Sequence, residues 1–117
     1  LKKDKRWNNQ FKFVEYSKKI HASYMVLPIL IDRKFIYKKK KFINFLEKKG
    51  LETRPVLSGS FVNQPSAKLY NLNPDNKQFK GAQEIQDLGF VIGLHTRNIK
   101  TPKVKFIIDL LFAIDTI

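Results

Sequence analysis

Glu52-Thr53-Arg54-Pro55-Val56-Leu57-Ser58-Gly59-Ser60-Phe61, continued by Asn63-Gln64-Pro65, reads as a strand that runs into a polar, glycine-hinged loop. Loops of that kind, held by a rigid element, are where binding residues concentrate. Thirty residues on, Gly89-Phe90-Val91-Ile92-Gly93-Leu94-His95-Thr96 repeats the design, an apolar strand that ends on a glycine and a histidine. The two strand ends are expected to converge on one pocket.

Working outward, Leu51–Leu57 is entered directly from Gly50, and Pro55 places it at an edge or at a strand end, because proline has no N–H for a ladder. Upstream, Ser23–Ile31 is too short and too continuously apolar for an amphipathic helix. It predicts a strand with Pro28 at a bulge or an edge. Asp32 then precedes a helix whose Phe35, Ile36, Phe42, Ile43 and Leu46 share one face and whose end is Gly50. Lys38-Lys39-Lys40-Lys41 lies inside that helix, and four residues sweep more than a turn. Lys39 therefore points near the apolar seam, with its stem along the core edge.

Downstream, Pro65 suits the first position of a short helix to Tyr70, and Asn71–Asn76 reads as a mobile, turn-rich loop. Gly81–Leu88 makes a short helix closed by Gly89, and Phe90–Leu94 a third strand. Thr101 as N-cap and Pro102 as N1 open a final helix with Val104, Ile107, Ile108, Leu111 and Ile114 or Phe112 as its buried stripe. The order β-α-β-(α-α)-β-α predicts an α/β or α+β layer, a small three-stranded sheet with helices on one face. Its apolar strands are richer than a half-solvated sheet requires, which points to docking against a larger body. Residues 1–20, with Trp7, Phe11, Phe13, Val14 and Tyr16 among lysines, read as a linker or an edge strand, and 21–117 as the domain proper.

Composition bounds what the pocket can be. A chain of 117 residues, 43% hydrophobic, fits one core and leaves no room for a second full domain. No run reaches the ~20 apolar residues of a membrane span, and Leu1-Lys2-Lys3-Asp4-Lys5-Arg6-Trp7 lacks the apolar centre of a secretory signal. With no cysteine there is neither a disulfide framework nor a cysteine metal site, and a cytoplasmic location is expected. The opening without Met predicts a piece of a longer protein. The net charge of +13 raises nucleic acid as a partner, but nineteen of the twenty-three cations are lysine, whereas base and phosphate recognition favours the arginine fork. A solvated lysine surface explains most of that charge.

The chain has no Gly-rich phosphate loop and no histidine pair at metal-ligand spacing. Ser58, His95 and Asp109 could be written as a triad, but no nucleophile elbow supports one. His95, beside Gly93 at a strand end, and Arg54, just before a Gly-Ser turn, are better candidates. Each has a plain structural alternative, a backbone hydrogen bond for His95 and a pair with Glu52 for Arg54.

Pro28, Glu52-Thr53-Arg54-Pro55, Ser58-Gly59-Ser60-Phe61, Gln64-Pro65, Gly89-Phe90 and His95 stand in an order and spacing that resemble the C-terminal region of the DegT-type pyridoxal-phosphate-dependent nucleotide-sugar aminotransferases and their sugar 3-dehydratase relatives, over roughly residues 20–117. The resemblance implies the small domain of a fold-type-I transferase acting in deoxysugar and lipopolysaccharide O-antigen biosynthesis. It also implies a homodimeric parent whose N-terminal domain carries the pyridoxal phosphate and its Schiff-base lysine, or the histidine that replaces it in the dehydratases. On that basis the present chain is inactive alone and lines the nucleotide-sugar pocket with Arg54, Gly59, Ser60, Phe61, Gln64 and His95, with no catalytic residue and no metal. Three departures stand out: Ser60 where the family usually has Asn, Tyr24-Met25-Val26 for a usual Trp-Phe-Gly, and Thr96-Arg97 after the histidine. The alternatives are a basic nucleic-acid-binding module and a catalytically silent regulatory or assembly domain.

Overall fold

A computed structural model describes residues 1–57, 59–71 and 76–117. The core of the expected Asn71–Asn76 loop, residues 72–75, lies outside the described residues, as does Ser58. The strands are β1 (Phe11–Phe13), β2 (Val26–Ile31), β3 (Thr53–Arg54) and β4 (Gly89–Gly93). The α-helices are α1 (Lys39–Lys48), α2 (Pro65–Leu69), α3 (Lys80–Leu88) and α4 (Thr101–Phe112). Short 3-10 segments at Arg33–Lys38, Phe61–Asn63, Asn76–Phe79 and Ala113–Asp115 link or extend them.

The mixed helix-and-sheet class is as expected, and it is α+β, because every strand pair is antiparallel in the order β1-β2-β4-β3. Among the described residues the sheet has four strands rather than three. The additional one is β1, which pairs Phe11 with Ile31 and Phe13 with Ile29. Only two apolar residues alternate there among lysines, too weak a local pattern to separate a strand from a linker.

Pro28 stands inside β2, a central strand, and the pairing explains how. The Asp32 amide donates to Gln10 O, on the β1 side, and the Leu94 amide donates to Met25 O, on the β4 side. Backbone groups alternate along a strand, so residues 28 and 30 aim their N–H toward β1. β1 ends at Phe13, opposite Ile29. The donor that proline lacks would therefore have met no strand partner.

One sheet face builds the core. Phe11, Ile29, Ile31, Phe90 and Ile92 cluster with Phe35, with Phe42 and Leu46 of α1, and with Leu110, Leu111 and Ile114 at the end of α4. The Phe42 ring meets Phe11 and Phe90 with centroids 6.2 and 6.1 Å away, the second contact edge-on. Burying a phenylalanine fully is worth about 2–3 kcal/mol, so Phe42 is a principal tie between α1 and the sheet.

The α1 boundaries follow from chemistry visible in the sequence. The Asp32 carboxylate accepts from the Lys34 amide (3.0 Å) and caps the 3-10 segment that leads into α1. At the other end Gly50 adopts φ +84°; its amide donates to Glu47 O and the Leu51 amide to Leu46 O, a Schellman arrangement. α4 departs from expectation. Thr101 is its first residue, and the extended Lys100 occupies the cap with no side-chain bond. Burial is concentrated at Leu110, Leu111 and Phe112, whereas Val104 and Phe106 are exposed.

The N-terminal segment explains that concentration. Arg6 pairs with Asp4 and Asp109 at 2.8 Å each and lies 4.5 Å above the Phe112 ring. Buried Gln10 donates to Arg6 O (2.8 Å) and Asp115 Oδ2 (2.7 Å) and accepts from the Asn8 amide (2.7 Å). Asp109 and Asp115 are thus the points at which this segment is held to α4 and its extension.

Candidate functional site

A cleft of about 700 Å³ opens between α1 and the chain that follows β3. Lys39, Ile43 and Glu47 line it from α1; Arg54, Val56 and Gly59 line it from β3 and the loop. Gln64, Gln86 and Phe90 complete the wall. Its cations are Lys39, Lys40 and Arg54 and its acid is Glu47, which accepts from Thr53 Oγ1 at 2.7 Å.

The loop wall is shaped by a turn. The Gly59 amide donates to Val56 O (3.1 Å), Leu57 takes φ +47° and Gly59 takes φ +69°. A left-handed residue costs an L-amino acid about 1–2 kcal/mol, so glycine at 59 is favoured on backbone grounds. Space makes the same demand, because a Cβ at 59 would lie 3.0 Å from Gln86 Oε1 and 3.1 Å from its Cγ. Close approach lets Gln86 Oε1 accept from the Ser60 amide (2.9 Å) and from Asn63 Nδ2 (3.1 Å). Gln86 also accepts at its backbone oxygen from Lys39 Nζ (2.9 Å), so one residue joins α1, α3 and the turn. Gly89 meets a similar demand: a Cβ there would lie 2.4 Å from Ile85 O and 2.9 Å from Val56 Cγ2.

Lys39 is half-buried on the cleft wall, with its amine on Gln86 O. Burial pushes its pKa down, and the Asp87 carboxylate offsets part of that shift. Lys40 lines the cleft beside it, whereas Lys38 and Lys41 turn elsewhere: Lys38 Nζ reaches Asp115 O at 3.5 Å and Lys41 Nζ reaches Ile117 O at 3.1 Å.

Of the residues singled out in the sequence, Arg54, Gly59 and Gln64 line the cleft together. Arg54 is exposed and bonds Glu52 Oε1 at 2.5 Å, the plain pairing open to it. Ser60 is fully buried behind the turn, and its Oγ has no hydrogen-bond partner among the described residues. Phe61 is half exposed and outside the lining. His95 is elsewhere. β3 pairs antiparallel with β4, Thr53 with Ile92 and Arg54 with Val91, so the chain leaving β3 runs toward Gly89 while His95 lies beyond Gly93 at the opposite end. There its Nδ1 accepts from the Arg97 amide at 3.4 Å, and the two strand ends do not converge. Asp109 pairs with Arg6, so no triad with His95 forms among the described residues. Lys39 was legible as a residue of the apolar seam but not as part of a site. Gln86 carried no local signal, because its role depends on a turn 26 residues away.

The chain matches no protein-family model, no curated protein and no solved structure. The site therefore has to be read from its own geometry. Among the described residues no group of three or more His, Cys, Asp or Glu could hold a metal ion, and no helix is long and apolar enough to cross a membrane. Pyridoxal phosphate needs a lysine amine free to condense and a carboxylate facing its ring nitrogen. Here Lys39 is bonded to Gln86 O and Glu47 to Thr53, so the cleft by itself does not fit that group.

Proposed function

We propose that this chain is the C-terminal domain of a cytoplasmic, pyridoxal-phosphate-dependent nucleotide-sugar aminotransferase or sugar 3-dehydratase, that it supplies part of the substrate pocket, and that it is inactive alone. One observation carries the reading: Arg54, Gly59 and Gln64, which the sequence resemblance marks as pocket residues, line a single cleft of about 700 Å³. That volume is within the usual range for a small-molecule site. The apolar surface of Ile43, Val56 and Phe90 beside Arg54, Lys39 and Lys40 suits a ligand with a flat or deoxygenated part and an anionic part.

In this reading the cofactor belongs to a preceding N-terminal domain and supplies the electron sink. This chain binds and orients. Arg54 offers a planar fork for phosphate or carboxylate, and its present partner Glu52 is a surface ion pair, worth little, that a ligand can replace. The Gly59 turn, fixed by Gln86, sets the width of the cleft. The parent is a homodimer in the cytoplasm, and its partners are the N-terminal domain and the nucleotide sugar.

The reading frame upstream of the Leu1 codon tests this. An in-frame pyridoxal-phosphate domain is expected, with lysine at the cofactor position for a transferase or histidine for a dehydratase. A frame that encodes no such domain refutes the proposal.

A further inference from the structure

Among the described residues, Lys39 is a cation without a contact counter-charge. Its ammonium has three donors, of which one goes to Gln86 O. The described ion pairs include none to Lys39, and Asp87 acts on it through space rather than by contact. The cleft's own acid, Glu47, is bonded by Thr53. Holding a cation half out of water costs free energy unless an anion compensates. Lys40 and Arg54 line the same space and the first turn of α1 contains no acid, so three cations face the single acid of the cleft lining, Glu47.

We propose that Lys39 is the residue that takes the phosphate of the ligand in this cleft, and that it selects a phosphorylated ligand of the nucleoside diphosphate class over its neutral counterpart. The inference rests on the reading of the cleft as a substrate pocket and adds the group that fixes the ligand's anion. Arg54, on the opposite side and exposed, is then an auxiliary contact.

The test is titration of the full chain with UDP, pyrophosphate and uridine near physiological salt, using Lys39→Gln and, as a control for net charge, Lys48→Gln at an exposed position of the same helix outside the cleft. Loss of one charge-assisted hydrogen bond should weaken UDP and pyrophosphate about tenfold or more in Lys39→Gln. Lys48→Gln should change them by less than about twofold. Uridine should be unaffected by either. In the unmodified chain, the Lys39 side-chain methylene resonances should be among the first to shift as UDP is added, a readout that does not depend on any variant folding. Equal loss in the two variants would show diffuse attraction to a +13 chain and overturn the proposal. So would a Lys39 signal that stays still, UDP that fails to bind, or a single-stranded oligonucleotide that competes with UDP and is weakened equally by both variants. None of these outcomes touches the upstream reading frame, on which the functional reading stands or falls separately.

Discussion

Gly59→Ala tests whether the cleft wall is built as described. The substitution forces an L-residue to hold φ +69°, a cost of about 1–2 kcal/mol. The new methyl also meets Gln86 Oε1 at 3.0 Å and Cγ at 3.1 Å, so the glutamine must give by a few tenths of an ångström. That shift weakens the bonds from the Ser60 amide and Asn63 Nδ2, for a combined loss of about 1–2 kcal/mol. The expected total is about 2–4 kcal/mol. Gly50→Ala is the reference, because Gly50 has φ +84° with nothing within 4 Å of an added Cβ, and it should cost only the backbone part, about 1–2 kcal/mol. Urea unfolding followed by the fluorescence of Trp7, the sole tryptophan, which stacks on Phe13, measures both. In a Gln86→Ala background the contact is gone and Gly59→Ala should fall to the Gly50→Ala value, giving a coupling of about 1–2 kcal/mol in the double-mutant cycle. If Gly59→Ala costs no more than Gly50→Ala, or if the two changes are additive, Gln86 does not hold the turn.

Other predictions follow from single contacts. Ser60→Ala removes a buried hydroxyl that has no partner among the described residues and should raise stability by about 1 kcal/mol in the same unfolding assay; a loss of stability would mean that Oγ is bonded after all. Pro28→Ala should change stability by less than about 1 kcal/mol, while Leu30→Pro, two positions along and opposite Lys12, should cost about 3 kcal/mol or more, because only there does the missing N–H face a strand. The Arg6 guanidinium beside Asp4 holds that carboxyl well below the usual aspartate range, so its folded pKa is depressed. The contribution is present above the ordinary value of 3.8 and is lost as pH falls toward the lower folded value. The stability gap between Asp4→Asn and the unmodified chain should therefore be constant above about pH 4 and narrow steadily as the pH falls further below it, and a gap that widens there would count against the pair.

The sequence by itself determined the features whose physics is local. Asp32 caps, Gly50 terminates α1 through a left-handed residue, Pro65 opens α2, and Lys39 lies along an apolar seam; each depends on groups within a few residues. The mixed helix-and-sheet class follows from the same local periodicities. Only the tertiary structure decided strand direction and partnership. β1 is a strand because Ile29 and Ile31 lie opposite its two phenylalanines, and its three residues carry too little pattern to show this alone. Antiparallel pairing of β3 with β4 sent His95 to the end of the sheet away from the Gly59 turn, although both strand ends look alike in sequence. Gln86 became the centre of the cleft wall through contacts to residues 39, 60 and 63, and Arg6 and Gln10 reached Asp109 and Asp115 across nearly the whole chain. Such contacts depend on chain reversals and register, set by which distant apolar faces bury each other, and no short window of sequence contains both sides of that choice.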